Sequence, residues 1–108
     1  MVKSSVLDRT FAALSDPTRR EILAALAGGP RTVGELAQPF PMSLVAVSKH
    51  VSVLERAGLL TRTRAGRTQM CALTATPLAA AAGWLDRYRD FWTTRFDALE
   101  RYLDTEDE

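Results

Sequence analysis

Apolar residues in the first part of the chain recur at the spacing of helices. The first helix is predicted over residues about 4–14. A second helix begins at Asp16-Pro17, because aspartate caps a helix start and proline fits the first turn. A short third helix begins at Thr32, which forms a capping box with Glu35 three residues later. The first third of the sequence therefore reads as three consecutive helices.

A fourth helix is predicted over residues about 43–57, with Ser43 as its cap and Gly58 at its end. Its apolar residues step by three and four positions, which predicts one buried stripe made of Leu44, Val47, Val51 and Leu54. The opposite face carries short polar and basic side chains. That composition differs from the glutamate and lysine mixture of a helix that is merely solvated.

The remainder of the chain predicts a hairpin and a long helix. Residues about 59–73 form two extended runs with Gly66 in the turn between them. Residues about 77–103 are helical, with apolar heptad positions at Leu85, Tyr88, Trp92, Leu99 and Tyr102. A helix of that length spans about 40 Å, more than a domain this small needs. Its aromatic stripe therefore predicts a partner.

Composition is that of one globular domain: 108 residues, 46% hydrophobic and 25% charged. The net charge of +1 is uneven along the chain. Residues 1–42 carry +1, residues 43–69 carry +4 and residues 70–108 carry −4. A basic central stretch is where an anionic partner would bind. The sequence has neither an apolar run long enough to span a membrane nor a signal peptide at its start. We therefore predict a cytoplasmic protein without a membrane partner.

Catalytic and metal chemistry have little support in the sequence. The chain has one histidine, His50, and one cysteine, Cys71, which is too few for a thiolate or imidazole metal shell within a subunit. No Gly-rich phosphate loop, paired acidic motif or nucleophile elbow is present. We therefore predict no enzyme activity, no metal and no cofactor. His50 either contacts nucleic acid or packs beneath its helix, and Cys71 is either a small apolar residue or a redox switch.

The predicted architecture is mainly α with a small β-hairpin, in the order of four helices, two strands and a final helix, which is a winged helix-turn-helix. Four segments of the sequence resemble the ArsR family of bacterial winged-helix regulators. They are Phe11–Leu23 with its Asp-Pro-Thr-Arg-Arg element, Thr32–Ala37, Met42–Leu59 with its Val-Ser-Lys-His element, and Arg64–Arg67. The tail from Trp84 to Leu103 is similar to a subgroup found beside genes for START-like ligand-binding proteins.

The resemblance implies a homodimer in which the first and last helices pair. The implied dimer residues are Leu7, Phe11, Leu14, Leu85, Tyr88, Trp92 and Leu99. It also implies that the fourth helix enters the major groove of double-stranded DNA through Ser43, Leu44, Val45, Ser48, Lys49, His50 and Ser52. The wing would contact the backbone or minor groove through Arg62, Arg64, Arg67 and Thr68.

The sequence departs from the metal-sensing members of that family. They carry a Cys-x-Cys pair in the third helix or His and acidic pairs on the last helix, whereas residues 33–38 and 77–103 contain neither Cys nor His. We therefore predict a repressor that binds an inverted-repeat operator. A winged-helix protein-interaction module without DNA binding, and a metal-responsive or redox-responsive sensor, are the alternatives. No small-molecule effector can be named from the sequence.

Overall fold

The computed structural model describes residues 5–106. Its helices and strands, in chain order, are α1 (Val6–Leu14), α2 (Pro17–Ala27), β1 (Arg31–Thr32), α3 (Val33–Ala37), α4 (Leu44–Arg56), β2 (Leu60–Ala65), β3 (Thr68–Leu73), α5 (Thr76–Leu85), a short 3-10 helix (Asp86–Tyr88) and α6 (Arg89–Glu106). The molecule is therefore mainly helical with a small antiparallel sheet, as the sequence predicts.

Helix starts are set by local side-chain caps. Each of α1 to α4 begins after a residue whose side-chain oxygen accepts a hydrogen bond from the backbone N–H three positions on, at 3.0–3.1 Å. These caps are Ser5, Asp16, Thr32 and Ser43. The last three are confirmed predictions, and the capping box between Thr32 and Glu35 has both of its hydrogen bonds.

The predicted two-stranded wing is part of a three-stranded sheet. β3 pairs with β2 on one side and with β1 on the other, placing Arg31 opposite Cys71 and Thr32 opposite Met70. An N-cap residue has an extended backbone, so Thr32 can pair with β3 while it caps α3. A strand of two residues is too short to produce a period of two, and the prediction missed β1 for that reason.

The predicted continuous helix over 77–103 is wrong at one point. α5 ends at Leu85, and one turn of 3-10 helix separates it from α6. Asp86 and Arg89 form an ion pair of 2.7 Å across this turn. Residues three apart are eclipsed in a 3-10 helix, so the pair fits the tighter turn. α5 packs against α1, whereas α6 extends from the rest of the described chain.

The core lies between α2, α3, α4 and the sheet. Its fully buried side chains include Ile22, Val47, Val51, Leu54, Leu59, Leu60 and Cys71. The predicted stripe of α4 is therefore correct at three positions and wrong at Leu44, which is 56% exposed. Leu44 is the first residue of α4, and it lines an open cleft rather than the core. Periodicity assigns a face but not where the neighbouring element ends.

Candidate nucleic-acid interface

The helix-turn-helix consists of α3, a turn and α4, and α4 has one buried and one open face. Val47, Val51 and Leu54 are completely buried, which determines the rotation of the helix about its own axis. Val45 and Lys49 are consequently exposed on the other side, and Ser48 lies at the boundary, half-buried. An open helix face beside a basic hairpin is the arrangement that winged-helix proteins use to enter a DNA groove.

Arg62 of the wing binds α4 of the same chain. Its guanidinium donates hydrogen bonds to Ser48 Oγ at 3.3 Å and Ser52 Oγ at 2.6 Å, and it lies 3.5 Å from a carboxylate oxygen of Glu55. It also donates to Gln69 Oε1 at 3.1 Å. The Arg62 side chain is only 14% exposed. These contacts use the donors that a DNA phosphate would need.

The alternation of β2 explains the direction of Arg62. Arg62 lies opposite Cys71 in the sheet, and directly opposed residues of an antiparallel pair point to the same side. Cys71 and Leu60 on that side are buried. Because side chains alternate along a strand, Arg62 shares the face of Leu60, a sequence signal for its direction but not for its partners in α4. Glu55 and Gln69 were not predicted as part of the site.

The tip of the wing carries exposed cations. Gly66 has a φ of 64°, a left-handed backbone that favours glycine, and it lets β2 and β3 join through a two-residue turn. Arg64 Nε donates to the Gly66 carbonyl at 3.2 Å, and Thr68 Oγ1 donates to the Ala65 carbonyl at 2.9 Å. Arg64, Arg67 and Thr68 are all exposed. Within residues 5–106 no ion pair involves Lys49, Arg64 or Arg67.

A cleft of about 440 Å³ separates the helix-turn-helix from the wing. Its walls include Val33 and Gly34 of α3, Leu44 and Val45 of α4, and Arg67 and Gln69 of the wing. Its lining contains no acidic residue. Leu44 and Val45, in the first turn of α4, give the cleft an apolar wall, and the cation Arg67 lies on the side of the wing.

His50 faces the junction between α1 and α2. Its Nδ1 is 3.3 Å from an Arg19 nitrogen and 3.9 Å from Asp16 Oδ2. The backbone N–H of Arg19 holds the pKa of the Asp16 carboxyl below its ordinary value, despite partial desolvation, and the nearby His50 acts in the same direction. The imidazole therefore connects α4 to a helix start. This geometry supports the packing interpretation of His50.

Arg19 and Arg20 bind backbone carbonyls at the end of α1. Arg19 Nε donates to the Ala13 carbonyl at 2.6 Å, and Arg20 donates to the Leu14 carbonyl at 2.7 Å. These carbonyls belong to the last turn of α1, where backbone acceptors lack a partner within the helix. The two arginines thus complete the end of α1.

Comparison with known proteins gives the family. A helix-turn-helix domain model matches residues 14–63. The transcriptional regulator Rv2034 of Mycobacterium tuberculosis is 43% identical over 99 residues, 92% of this chain and 90% of that protein. A crystal structure of an ArsR family transcriptional regulator superposes with a TM-score of 0.76 at 40% identity, covering 82% of this chain and 98% of that one. The chain belongs to the ArsR family of winged helix-turn-helix regulators.

Two further similar proteins bear on assembly and on the direction of regulation. The transcriptional repressor SdpR of Bacillus subtilis is 35% identical over 79 residues, 73% of this chain and 88% of that protein. A homodimeric winged helix-turn-helix DNA-binding domain from Mycobacterium bovis, solved in solution, has a TM-score of 0.64 at 27% identity over 79% of each chain. The protein is accordingly a DNA-binding transcriptional regulator and not an enzyme.

The residues implied for the ArsR dimer divide into two groups. Leu14 and Leu7 are partly buried, and Leu14 packs against the protein's own core. Phe11 is partly covered, and its ring meets Trp84 of α5 at 5.8 Å. The remaining members are about half exposed: Leu85, Tyr88, Trp92 and Leu99. Leu14 is thus mainly a core residue, whereas the four implied residues after position 84 are exposed to solvent.

The open apolar surface of α6 is wider than the implied set. Phe91, Phe96, Tyr102 and Leu103 are also exposed, and the rings of Trp92 and Phe96 stack with centroids 6.3 Å apart. Arg95 lies 4.0 Å above the ring of Phe91. Side chains of this size rarely remain in water over a continuous surface. α6 therefore has the surface of an interface helix.

The described residues do not support a metal site, a reactive thiol or a membrane-spanning helix. Residues 5–106 contain no group of three or more His, Cys, Asp or Glu placed to hold a metal ion. Cys71 is buried, and desolvation raises the pKa of its thiol although Arg62 acts in the opposite direction. No helix among these residues is both long and apolar enough to cross a membrane.

Proposed function

We propose that the protein is a homodimeric repressor that binds an inverted-repeat operator in double-stranded DNA. One observation carries the proposal: Lys49 on the open face of α4 and Arg64 and Arg67 in the wing are exposed and free of ion pairs within the described residues, and Arg67 borders a cleft without acidic residues. Cations in this arrangement neutralise phosphates, and the helix between them meets base edges. A protein that acts on the chromosome of a bacterium works in the cytoplasm, so we place this protein there.

Within the predicted contact set, the geometry supports two roles. Ser43, Leu44, Val45, Ser48 and Lys49 of α4 and Arg64, Arg67 and Thr68 of the wing are exposed or border the cleft, and we assign DNA contact to them. Ser52, His50 and Arg62 have partners inside the protein. We assign these three to positioning: Arg62 and Ser52 hold the wing on α4, and His50 holds α4 on the start of α2.

The homodimer is supported by the exposed aromatic surface of α6 and by the homodimeric M. bovis domain. A two-fold dimer presents two α4 helices to one side of the duplex, so its operator would be an inverted repeat with half-sites about one helical turn, ~34 Å, apart. Repression is supported by the similarity to SdpR. The neighbourhood of START-like genes and the identity of any effector stay predictions.

The test is footprinting of the purified protein on DNA upstream of its own gene, followed by affinity measurements over a range of salt. Lys49→Ala combined with Arg64→Ala should weaken binding about tenfold or more at ~0.15 M salt and reduce the salt slope by about 2 per subunit. Arg9→Ala combined with Arg87→Ala removes the same charge from exposed positions outside the helix-turn-helix and the wing and serves as the control. Unchanged affinity of the first variant would overturn the proposal.

A further inference from the structure

The first turn of α4 offers DNA an apolar surface. Leu44 is 56% exposed and Val45 is 66% exposed, more than any other large apolar side chain between residues 5 and 59. Both line the cleft between the helix-turn-helix and the wing. Neither belongs to the core, which α4 joins through the buried Val47, Val51 and Leu54 and the partly buried Val53. Their exposure therefore needs an explanation outside the fold.

Hydrogen-bonding groups are scarce on this turn. The Ser43 hydroxyl accepts the backbone N–H of Ala46 at 3.1 Å, which leaves its single O–H as the donor for a further partner. Leu44, Val45 and Ala46 have no polar side-chain atom. The amide and guanidinium groups that read adenine or guanine through paired hydrogen bonds are thus absent from the end of the helix that approaches base edges.

Thymine is the base that presents an apolar group, its 5-methyl, in the major groove. We infer that Leu44 and Val45 select thymine within each operator half-site by packing against its methyl group. The inference rests on the proposed DNA binding and adds the base that is read. Charge complementarity favours nucleic acid as the occupant of this surface, because Arg67 borders the cleft and no acidic residue lines it.

The experiment first selects preferred duplexes from a random-sequence library with the full-length protein. The selected duplex is then remade with uracil replacing thymine at single positions, which removes the methyl and keeps every hydrogen-bonding group. Fluorescence anisotropy at constant salt measures the ratio of the dissociation constants for the uracil and thymine duplexes. We expect that ratio to be about 4 for each contacted methyl, and the selected half-site to contain thymine at those positions.

The variant Leu44→Ala with Val45→Ala tests whether the methyl is read by these side chains. Both residues are exposed, and alanine favours a helix, so the variant should fold. It should show a ratio near 1 at the positions where the wild type shows about 4. Val6→Ala, which removes an exposed valine of α1 outside the cleft, is the matched control and should retain the wild-type ratio.

The outcomes separate this inference from the proposed function. Equal affinity for every sequence, with no selected consensus, would overturn the proposed sequence-specific binding itself. Specific binding with equal affinity for thymine and uracil at all positions would overturn the thymine contact and leave the repressor proposal intact. A uracil penalty that persists in the double alanine variant would also overturn it, because the methyl would then act through the DNA or another residue.

Discussion

The winged helix-turn-helix and the last helix place their apolar side chains in opposite environments. From α2 to β3, residues such as Val51, Leu54 and Leu59 are completely buried within one chain. Along α6, side chains as large as Trp92 and Phe96 are more than half exposed. The same kind of apolar periodicity therefore has two meanings. In the first region it encodes the fold, and in the second it encodes an association that the single chain does not complete.

The largest difference between the two regions should be seen in folding stability when a charge is placed in the core. Val51→Asp would bury a carboxylate without a partner, at a cost of several kcal/mol, about the whole stability of a small domain. We expect loss of cooperative thermal unfolding, measured by circular dichroism. Thr61→Asp places the same charge at an exposed position of β2 and should retain the transition. A folded Val51→Asp protein would contradict the assigned core.

The same charge in α6 should split the dimer and preserve the fold. Trp92→Asp removes a large ring from the exposed stripe and would desolvate a carboxylate in the dimer. We expect sedimentation as a monomer at concentrations where the wild type is dimeric, with the cooperative unfolding of the domain retained. Thr93→Asp, one position further round the helix, is the control. A dimer of unchanged affinity in Trp92→Asp would remove α6 from the interface.

A smaller effect is expected where the wing meets α4. Arg62→Met keeps the length of the side chain but removes its hydrogen bonds to Ser48 and Ser52. The free energy of unfolding should fall by about 1–3 kcal/mol in urea denaturation. Arg64→Met is the matched control, since Arg64 is exposed on the same strand and surface substitutions usually change stability by less than about 0.5 kcal/mol. Equal losses would show that Arg62 has no special structural role.

The smallest effect is expected at the start of α2. The Asp16 carboxylate has a lowered pKa, mainly because it accepts the Arg19 backbone N–H. A lowered pKa stabilises the fold above the ordinary value of 3.8, and that contribution is lost as pH falls through the folded value. Asparagine caps a helix without titrating. The stability difference between wild type and Asp16→Asn should therefore narrow between about pH 5 and pH 3, and a constant difference would contradict this account.

Local signals predicted the helices and the wing well, and tertiary contacts explain where the predictions were wrong. Caps such as Thr32 act over three residues, so the sequence pattern contains both partners. Leu44 was assigned to the buried stripe because periodicity does not report where the neighbouring element ends. Arg62 was assigned to DNA because its charge is visible in the sequence, while its partners in α4 lie 10 and 14 residues away.

The sequence by itself determined the helix starts, the winged order of elements and the basic character of residues 43–69, because each depends on neighbouring residues or on composition. Tertiary structure alone decided that β1 joins the sheet, that Arg62 and His50 bind other elements, and that Leu44 and Val45 remain exposed beside the wing. Those features depend on distances between elements far apart in the chain. Side-chain spacing within one element carries no information about such distances.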